Sequence, residues 1–182
     1  MITMTVDPSE RGAICVLGHC GDLTLLEKLP VDDAIEGSPR VDVLALRHLI
    51  RLVRDPHDIR TLRVVLDRAT TSGNALVDGA RAVFQDMGIT VELAPPCWRD
   101  DYGVQSSSLV ILAKARLAAP AMRFEGKAAV SLARTLLLAR LLWRQSRRPP
   151  DDSSIPSAAQ DERSGHGRPA LALTNHAQEM QT

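Results

Sequence analysis

The sequence predicts an α/β fold in which helices flank a mixed five-stranded sheet. Three short apolar runs, joined by glycine-containing turns, come first and indicate an antiparallel meander. Two further apolar runs then alternate with segments whose apolar residues recur at helical spacing, which requires parallel strands joined by right-handed crossovers. At 182 residues, the chain is long enough for one core of ordinary size.

The meander is predicted from residues 2–6, 13–17 and 23–29. A polar linker from residue 32 to residue 40 follows, and the hydrophobic period then changes from two to that of a helix. The first helix is indicated by an apolar stripe formed by Val43, Leu46, Leu49, Ile50 and Val53.

The second half of the chain alternates between strands and helices. Residues 62–66 and 89–93 are compact β-branched runs that predict the fourth and fifth strands. The second helix is expected to open at Asn74 and to close at Gly88 as its C′ residue. A third helix capped within residues 106–108 extends to residue 117, and a last helix covers about 126–147.

We therefore expect one domain over residues 1–148 and a disordered tail over 149–182, where Pro, Ser, Gly, Asp and Gln dominate.

The 22 basic and 22 acidic residues cancel, so bulk charge gives no reason to expect a nucleic-acid partner. The most apolar stretch contains Arg134 and Arg140 and is a poor membrane span. Three scattered cysteines and the lack of a signal-peptide pattern favour a soluble cytoplasmic protein.

Two aspartates occur where predicted strands end. Asp7 follows the first strand and Asp67 follows the fourth, 60 positions later. If these strands pair in parallel, both carboxylates project from one sheet edge, where they can share Mg²⁺ or Mn²⁺. Such a site would serve metal-assisted phosphodiester hydrolysis. The alternative is that each Asp is only a turn or cap residue.

The sequence resembles the RuvC-like resolvases, particularly the short phage and prophage forms. The run Asp7-Pro8-Ser9-Glu10-Arg11-Gly12-Ala13 is similar to the family's opening strand-turn motif, and Val64-Val65-Leu66-Asp67-Arg68 is similar to its second acidic motif. The segment 91–104, with Pro95, Pro96, Trp98 and Gly103, looks like the segment before the family's third helix. The resemblance covers about residues 2–145, and the predicted element order is that of the RNase H-like fold.

The resemblance implies a homodimer that holds divalent metal and cuts branched DNA, with Asp7 and Asp67 as the first two carboxylates. The family's other acids are missing. Residues 106–108 are all Ser, and Phe124 and Ala129 occupy positions where the family has ligands. Glu125 is the local substitute as metal ligand and catalytic residue, but a shift of one helical position rotates a side chain by about 100°.

Positive residues near the last helix are candidates for DNA contacts. Arg123, Lys127 and Arg134 suit phosphate contacts without sequence readout. Trp98 is placed to stack on an unpaired base, or else to anchor the core beside Pro95-Pro96. The alternative for the basic residues is a solvated helix face.

Three hypotheses follow from the sequence. The leading hypothesis is a RuvC-type endonuclease that acts on DNA junctions and holds Mg²⁺ or Mn²⁺ at Asp7, Asp67 and Glu125. If no acid compensates for the missing ligands, the protein is a weak nuclease or an inactive relative. The second is a non-catalytic DNA-binding or protein-interaction domain that retains the fold. The third is a related module that binds a nucleotide.

Overall fold

A computed structural model describes residues 1–32, 39–53, 62–67, 74–101 and 107–147. Its strands are β1 (Ile2–Asp7), β2 (Ala13–Leu17), β3 (Leu23–Lys28), β4 (Val31–Asp32), β5 (Arg40–Val41), β6 (Leu62–Leu66) and β7 (Val91–Leu93). Its helices are α1 (Val43–Val53), α2 (Asn74–Asp86), α3 (Trp98–Asp101), α4 (Ser108–Ala118) and α5 (Ala129–Gln145). The proposed tail, residues 149–182, lies outside the described residues.

The main sheet has the strand order β3-β2-β1-β6-β7. Strand β2 pairs antiparallel with both β1 and β3, whereas β1–β6 and β6–β7 are parallel pairs. The prediction of an α/β fold with a mixed five-stranded sheet is therefore confirmed. A second, two-stranded ribbon of β4 and β5 was not predicted, because its strands are only two residues long.

Helices cover both faces of the sheet because side chains alternate along each strand. On one face, Met4, Val6, Val64 and Leu66 pack in a core shared with α1 and α2. On the other face, β2 packs in a core shared with α4 and α5. None of the described helices has the length and apolar character needed to span a bilayer.

Two helix ends differ in how well the sequence predicted them. Gly88 is the expected C′ residue, with φ of 70°. The N–H of Ile89 donates to the carbonyl of Phe84 at 2.9 Å, which is the long bond of a Schellman motif. That bond explains why β7 begins at Val91 rather than at Ile89. The N-cap of α4 is Ser107, but its hydroxyl forms no capping hydrogen bond, so the expected side-chain cap is absent.

The turn from β1 to β2 has a steric requirement for glycine. The N–H of Gly12 donates to the carbonyl of Ser9 at 2.8 Å, which closes the turn after Asp7. A Cβ at Gly12 would lie 2.1 Å from the Asp7 carbonyl oxygen and 2.7 Å from the Ser9 carbonyl oxygen. Both obstacles are backbone atoms, so a side chain here forces the turn itself to move.

We expect Gly12→Ala to destabilise the fold by about 1–3 kcal/mol, the usual cost of forcing extra volume into a packed site. Urea unfolding measures the loss. The matched control is Gly79→Ala in α2, where a Cβ would lie 3.4 Å from Val41 Cγ2. Replacing a helical Gly with Ala there should be neutral or stabilising by up to about 1 kcal/mol. Equal effects of the two substitutions would contradict this account of the turn.

Candidate functional site

The parallel pairing of β1 with β6 brings the two predicted aspartates together. The pairs Thr5↔Val65 and Val6↔Leu66 are in register, and the N–H of Asp67 donates to the carbonyl of Val6 at 2.8 Å. Asp7 and Asp67 are therefore the next neighbours along the two strands. They are only 8% and 4% exposed.

Strand alternation decides which face the two carboxylates occupy. Asp7 follows Thr5 by two residues, and the Thr5 hydroxyl donates to the carbonyl of Thr135 in α5 at 2.8 Å. Asp67 likewise follows Val65, which packs with Leu138 of α5. Both acids thus lie on the face covered by α5, at the carboxyl ends of adjacent parallel strands, as the sequence predicted.

Both oxygens of the Asp67 carboxylate accept hydrogen bonds from the segment after β7. Trp98 Nε1 donates to Oδ1 at 2.9 Å, and Arg99 Nη2 donates to Oδ2 at 2.9 Å. The second contact is also an ion pair. A carboxylate this deeply buried needs such partners, because an unpaired buried charge is costly.

Asp7 has a different set of neighbours. Burial is the largest influence and raises the pKa of the Asp7 carboxyl above its ordinary 3.8, whereas a hydrogen bond from the Ser131 side chain lowers it. The negative charge of Asp67 also raises this pKa, and the Ser9 side chain and the Arg134 guanidinium lower it. Desolvation outweighs the favourable contacts, so the net direction is upward.

Glu125 does not join this pair. Its side chain is exposed, in the turn before α5. Among the described residues, no group of three or more His, Cys, Asp or Glu side chains is arranged to hold a metal ion. The expected metal site with Glu125 as its third ligand is thus not formed in this structure. The α5 side chain that hydrogen-bonds Asp7 is Ser131.

The expected DNA-contacting residues fall into two groups. Arg123 and Lys127 are exposed, as a phosphate contact requires. Arg134 is half-buried beside Asp7, and its Nε is buried without a hydrogen-bond partner among the described residues. Trp98 is only 2% exposed and packs with Ala94 and Leu138. The prediction that Trp98 stacks on a base is therefore wrong for this structure, and the core-anchor alternative is correct.

Sequence reasoning missed Arg99 and Ser131. Arg99 follows Trp98 directly, but the comparison of segment 91–104 with the resolvases singled out Trp98 and not Arg99 as a candidate functional residue. Ser131 lies two residues after Ala129, the position at which an acid was expected. A helical-wheel projection that placed 131, 134 and 135 on one face of α5 would have indicated that Ser131 and Arg134 share a side.

The residues present do not fit a complete divalent-metal centre. The pair supplies two carboxylates, but both oxygens of Asp67 already accept hydrogen bonds, and two arginines lie against the pair. Divalent-metal sites for phosphoryl chemistry rely on carboxylate oxygens free to face the ion. The chain matches no protein-family model, and no curated protein matches its sequence significantly.

The Trp98–Asp67 bond gives a first prediction for the site. Trp98→Phe keeps most of the buried ring but removes the N–H donor to Asp67, so we expect a loss of about 1–3 kcal/mol, typical for a hydrogen bond to a charged group. Urea unfolding measures it. The control is Trp143→Phe, whose Nε1 is 3.4 Å from the carbonyl of His19 at an exposed position. A cost for Trp98→Phe no larger than that of the control would count against the bond.

The raised pKa of Asp7 gives a second prediction. The folded state binds the Asp7 proton more readily than the unfolded chain, so this group favours folding fully below pH 3.8 and loses that contribution as pH rises through the folded pKa. Asp7→Asn removes the titration. We therefore expect the stability of this variant relative to the natural protein to increase from acid to neutral pH in urea unfolding.

Asp32→Asn, at an exposed carboxylate in β4, is the control for that pH series. It reports the pH dependence that the rest of the molecule contributes. A constant difference between the Asp7→Asn variant and the natural protein across the series would exclude a raised pKa at Asp7.

Proposed function

We propose that the chain is an RNase H-like domain of the RuvC type that binds branched DNA without cutting it. The strand order and directions support the RNase H-like interpretation, because an antiparallel meander is followed by two parallel strands. The convergence of Asp7 and Asp67 at one sheet edge supports the RuvC-type interpretation. The absence of cleavage is proposed on one observation: both oxygens of the Asp67 carboxylate accept hydrogen bonds, one from Trp98 and one from Arg99.

Exposed positive residues next to α5 support DNA as the partner. Lys127 lies two residues before the helix, and Arg123 lies four residues before Lys127. The first turn of α5 contains no acidic residue, and the exposed Glu125 is the one acid between Arg123 and Lys127 in the chain. Because the net charge of the chain is zero, binding depends on this local group rather than on the molecule as a whole.

Homodimerisation belongs to the same proposal. The outward face of α1 carries Leu44 and Leu52, which are 78% and 68% exposed. These two residues are eight positions apart, and the exposed His48 and Arg51 lie between them on the outward face of the helix. The two exposed leucines support pairing of two copies, as the resemblance to the resolvases implies. A cytoplasmic location is likewise part of the proposal.

A second candidate is a metal-dependent endonuclease of the same type, and one observation favours it. Two acids 60 positions apart are brought side by side at the carboxyl ends of parallel strands, which is where open α/β sheets bind ligands. Asp7 and Asp67 would then be the residues that face Mg²⁺ or Mn²⁺. Against it stand the exposed Glu125 and the partners of Asp67.

A binding and cleavage experiment separates the candidates. We expect the full chain to retard a four-way junction more strongly than a linear duplex of the same length, with a salt-dependent affinity. Lys127→Ala and Arg123→Ala should each reduce the slope of log K against log salt by about 0.9, the value for one lost phosphate contact. The control, Arg63→Ala, removes a positive charge in β6 that is paired with Glu92 in β7.

The same junction, incubated with Mn²⁺, should remain uncut under the binding proposal, because no metal-activated water would be available to attack the phosphate. Cleavage that disappears in Asp7→Asn would favour the endonuclease instead. Failure to bind junction and duplex alike, with a folded protein, would remove both candidates.

A further inference from the structure

We propose that the guanidinium groups of Arg99 and Arg134 are the counter-charges of the Asp7–Asp67 pair. As a result, this sheet edge binds no divalent cation unless the arginines are removed. The inference needs neither DNA binding nor membership of a family. It concerns only what neutralises two adjacent buried acids.

The starting point is the energetic problem that the fold creates. Two carboxylates that are 8% and 4% exposed lie next to each other on one face of the sheet. An unpaired buried charge is costly, and the two negative charges repel each other. A fold that keeps them must supply positive charge or a proton, and a bound cation is one common supply.

Arg99 supplies positive charge at Asp67. Its Nη2 lies 2.9 Å from Oδ2, while the indole N–H of Trp98 occupies Oδ1. The two donors are consecutive residues of α3, so one short helix binds both oxygens. A cation approaching Asp67 would meet the guanidinium of Arg99 at the same oxygen, and the two positive charges would repel each other.

Arg134 supplies positive charge on the Asp7 side. It lies three residues after Ser131, hence on the same side of α5, and the Ser131 side chain hydrogen-bonds Asp7. The guanidinium of Arg134 is near enough to favour the charged form of Asp7. Its buried Nε has no hydrogen-bond partner among the described residues.

Each aspartate therefore has a guanidinium group near it. Arg99 acts from α3 through an ion pair with Asp67, and Arg134 acts from α5 through its charge on Asp7. In this arrangement a divalent ion would add positive charge to a cluster that already holds two guanidinium groups. The arginines thus occupy the electrostatic role that a metal would have at such an edge.

The test measures Mn²⁺ binding and thermal stability of the full chain without DNA. We compare the natural protein with Arg99→Gln, Arg134→Gln and the double variant, using the electron paramagnetic resonance signal of free Mn²⁺ and the melting temperature. The natural protein should bind no Mn²⁺ at Asp7 and Asp67. The double variant should melt at lower temperature without metal and gain roughly 5–9 °C at about 50 times its Kd for Mn²⁺.

Two controls make the result specific. Arg63→Gln removes another ion pair, with Glu92 at 2.7 Å, away from the acidic pair, and should create no Mn²⁺ site. Adding Asp7→Asn to the double variant should abolish the Mn²⁺ response. If the double variant does not fold, the two single variants replace it in the test. Mn²⁺ should then raise the melting temperature of each single variant, by less than the value expected for the double variant.

Either of two results overturns the proposal. One is Mn²⁺ binding by the natural protein that disappears in Asp7→Asn, since the arginines would then not exclude the ion. The other is a folded Arg99→Gln variant or double variant that binds no Mn²⁺ and whose melting temperature Mn²⁺ does not change. Neither result depends on whether the protein binds DNA, so failure here is distinguishable from failure of the proposed function.

Discussion

The parallel pairing of β1 with β6 is the constraint on which the rest of this molecule depends. Its register sets Val6 opposite Leu66 and therefore Asp7 beside Asp67. The alternation of side chains then sends Met4, Val6, Val64 and Leu66 into one core and both acids to the opposite face. A slip of one residue would exchange these faces and bury charge in the apolar core, so the register is strongly specified.

Because the two acids lie on the face of the sheet that α5 covers, α5 is the helix that must accommodate them. This helix contacts β1 through Thr135, whose carbonyl accepts from Thr5 and whose hydroxyl donates to the carbonyl of Ser131. Toward its other end, Arg140 donates to the carbonyl of Gly21 in the β2–β3 turn. Both contacts fix the rotation of α5 about its axis. That rotation is what turns Ser131 and Arg134 toward Asp7.

The acidic pair is held by partners that leave little freedom for an additional ligand. Hydrogen bonds to a charged group contribute more than those between neutral groups, and breaking one side of a buried ion pair leaves an uncompensated charge. The contacts of Trp98 and Arg99 with Asp67 therefore stabilise the segment after β7 as well as the carboxylate. A site built in this way contributes first to the cohesion of the fold.

Local patterns in the sequence were sufficient for much of the fold. Hydrophobic period distinguishes a strand from a helix, and Gly12 and Gly88 report backbone requirements that do not depend on distant residues. The connection rules required parallel pairing in the second half of the chain, and the meeting of Asp7 and Asp67 was expected on the condition that the first and fourth strands pair in parallel, as they do in the structure. The ribbon of β4 and β5 and the later start of β7 were not, because they depend on pairing and capping of two or three residues.

The sequence by itself thus determined the main helices, the five strands of the mixed sheet and the position of an acid at the end of two of them, since each rests on short-range periodicity and backbone geometry. The tertiary structure showed that these two strands are adjacent and parallel, which brings the two acids together. Only the tertiary structure decided what surrounds those acids. Trp98 is buried instead of exposed, Arg99 binds Asp67, and Ser131 rather than Glu125 contacts Asp7. The reason is physical: these contacts join residues 32 to 124 positions apart, and their geometry depends on how helices rotate and pack against the sheet.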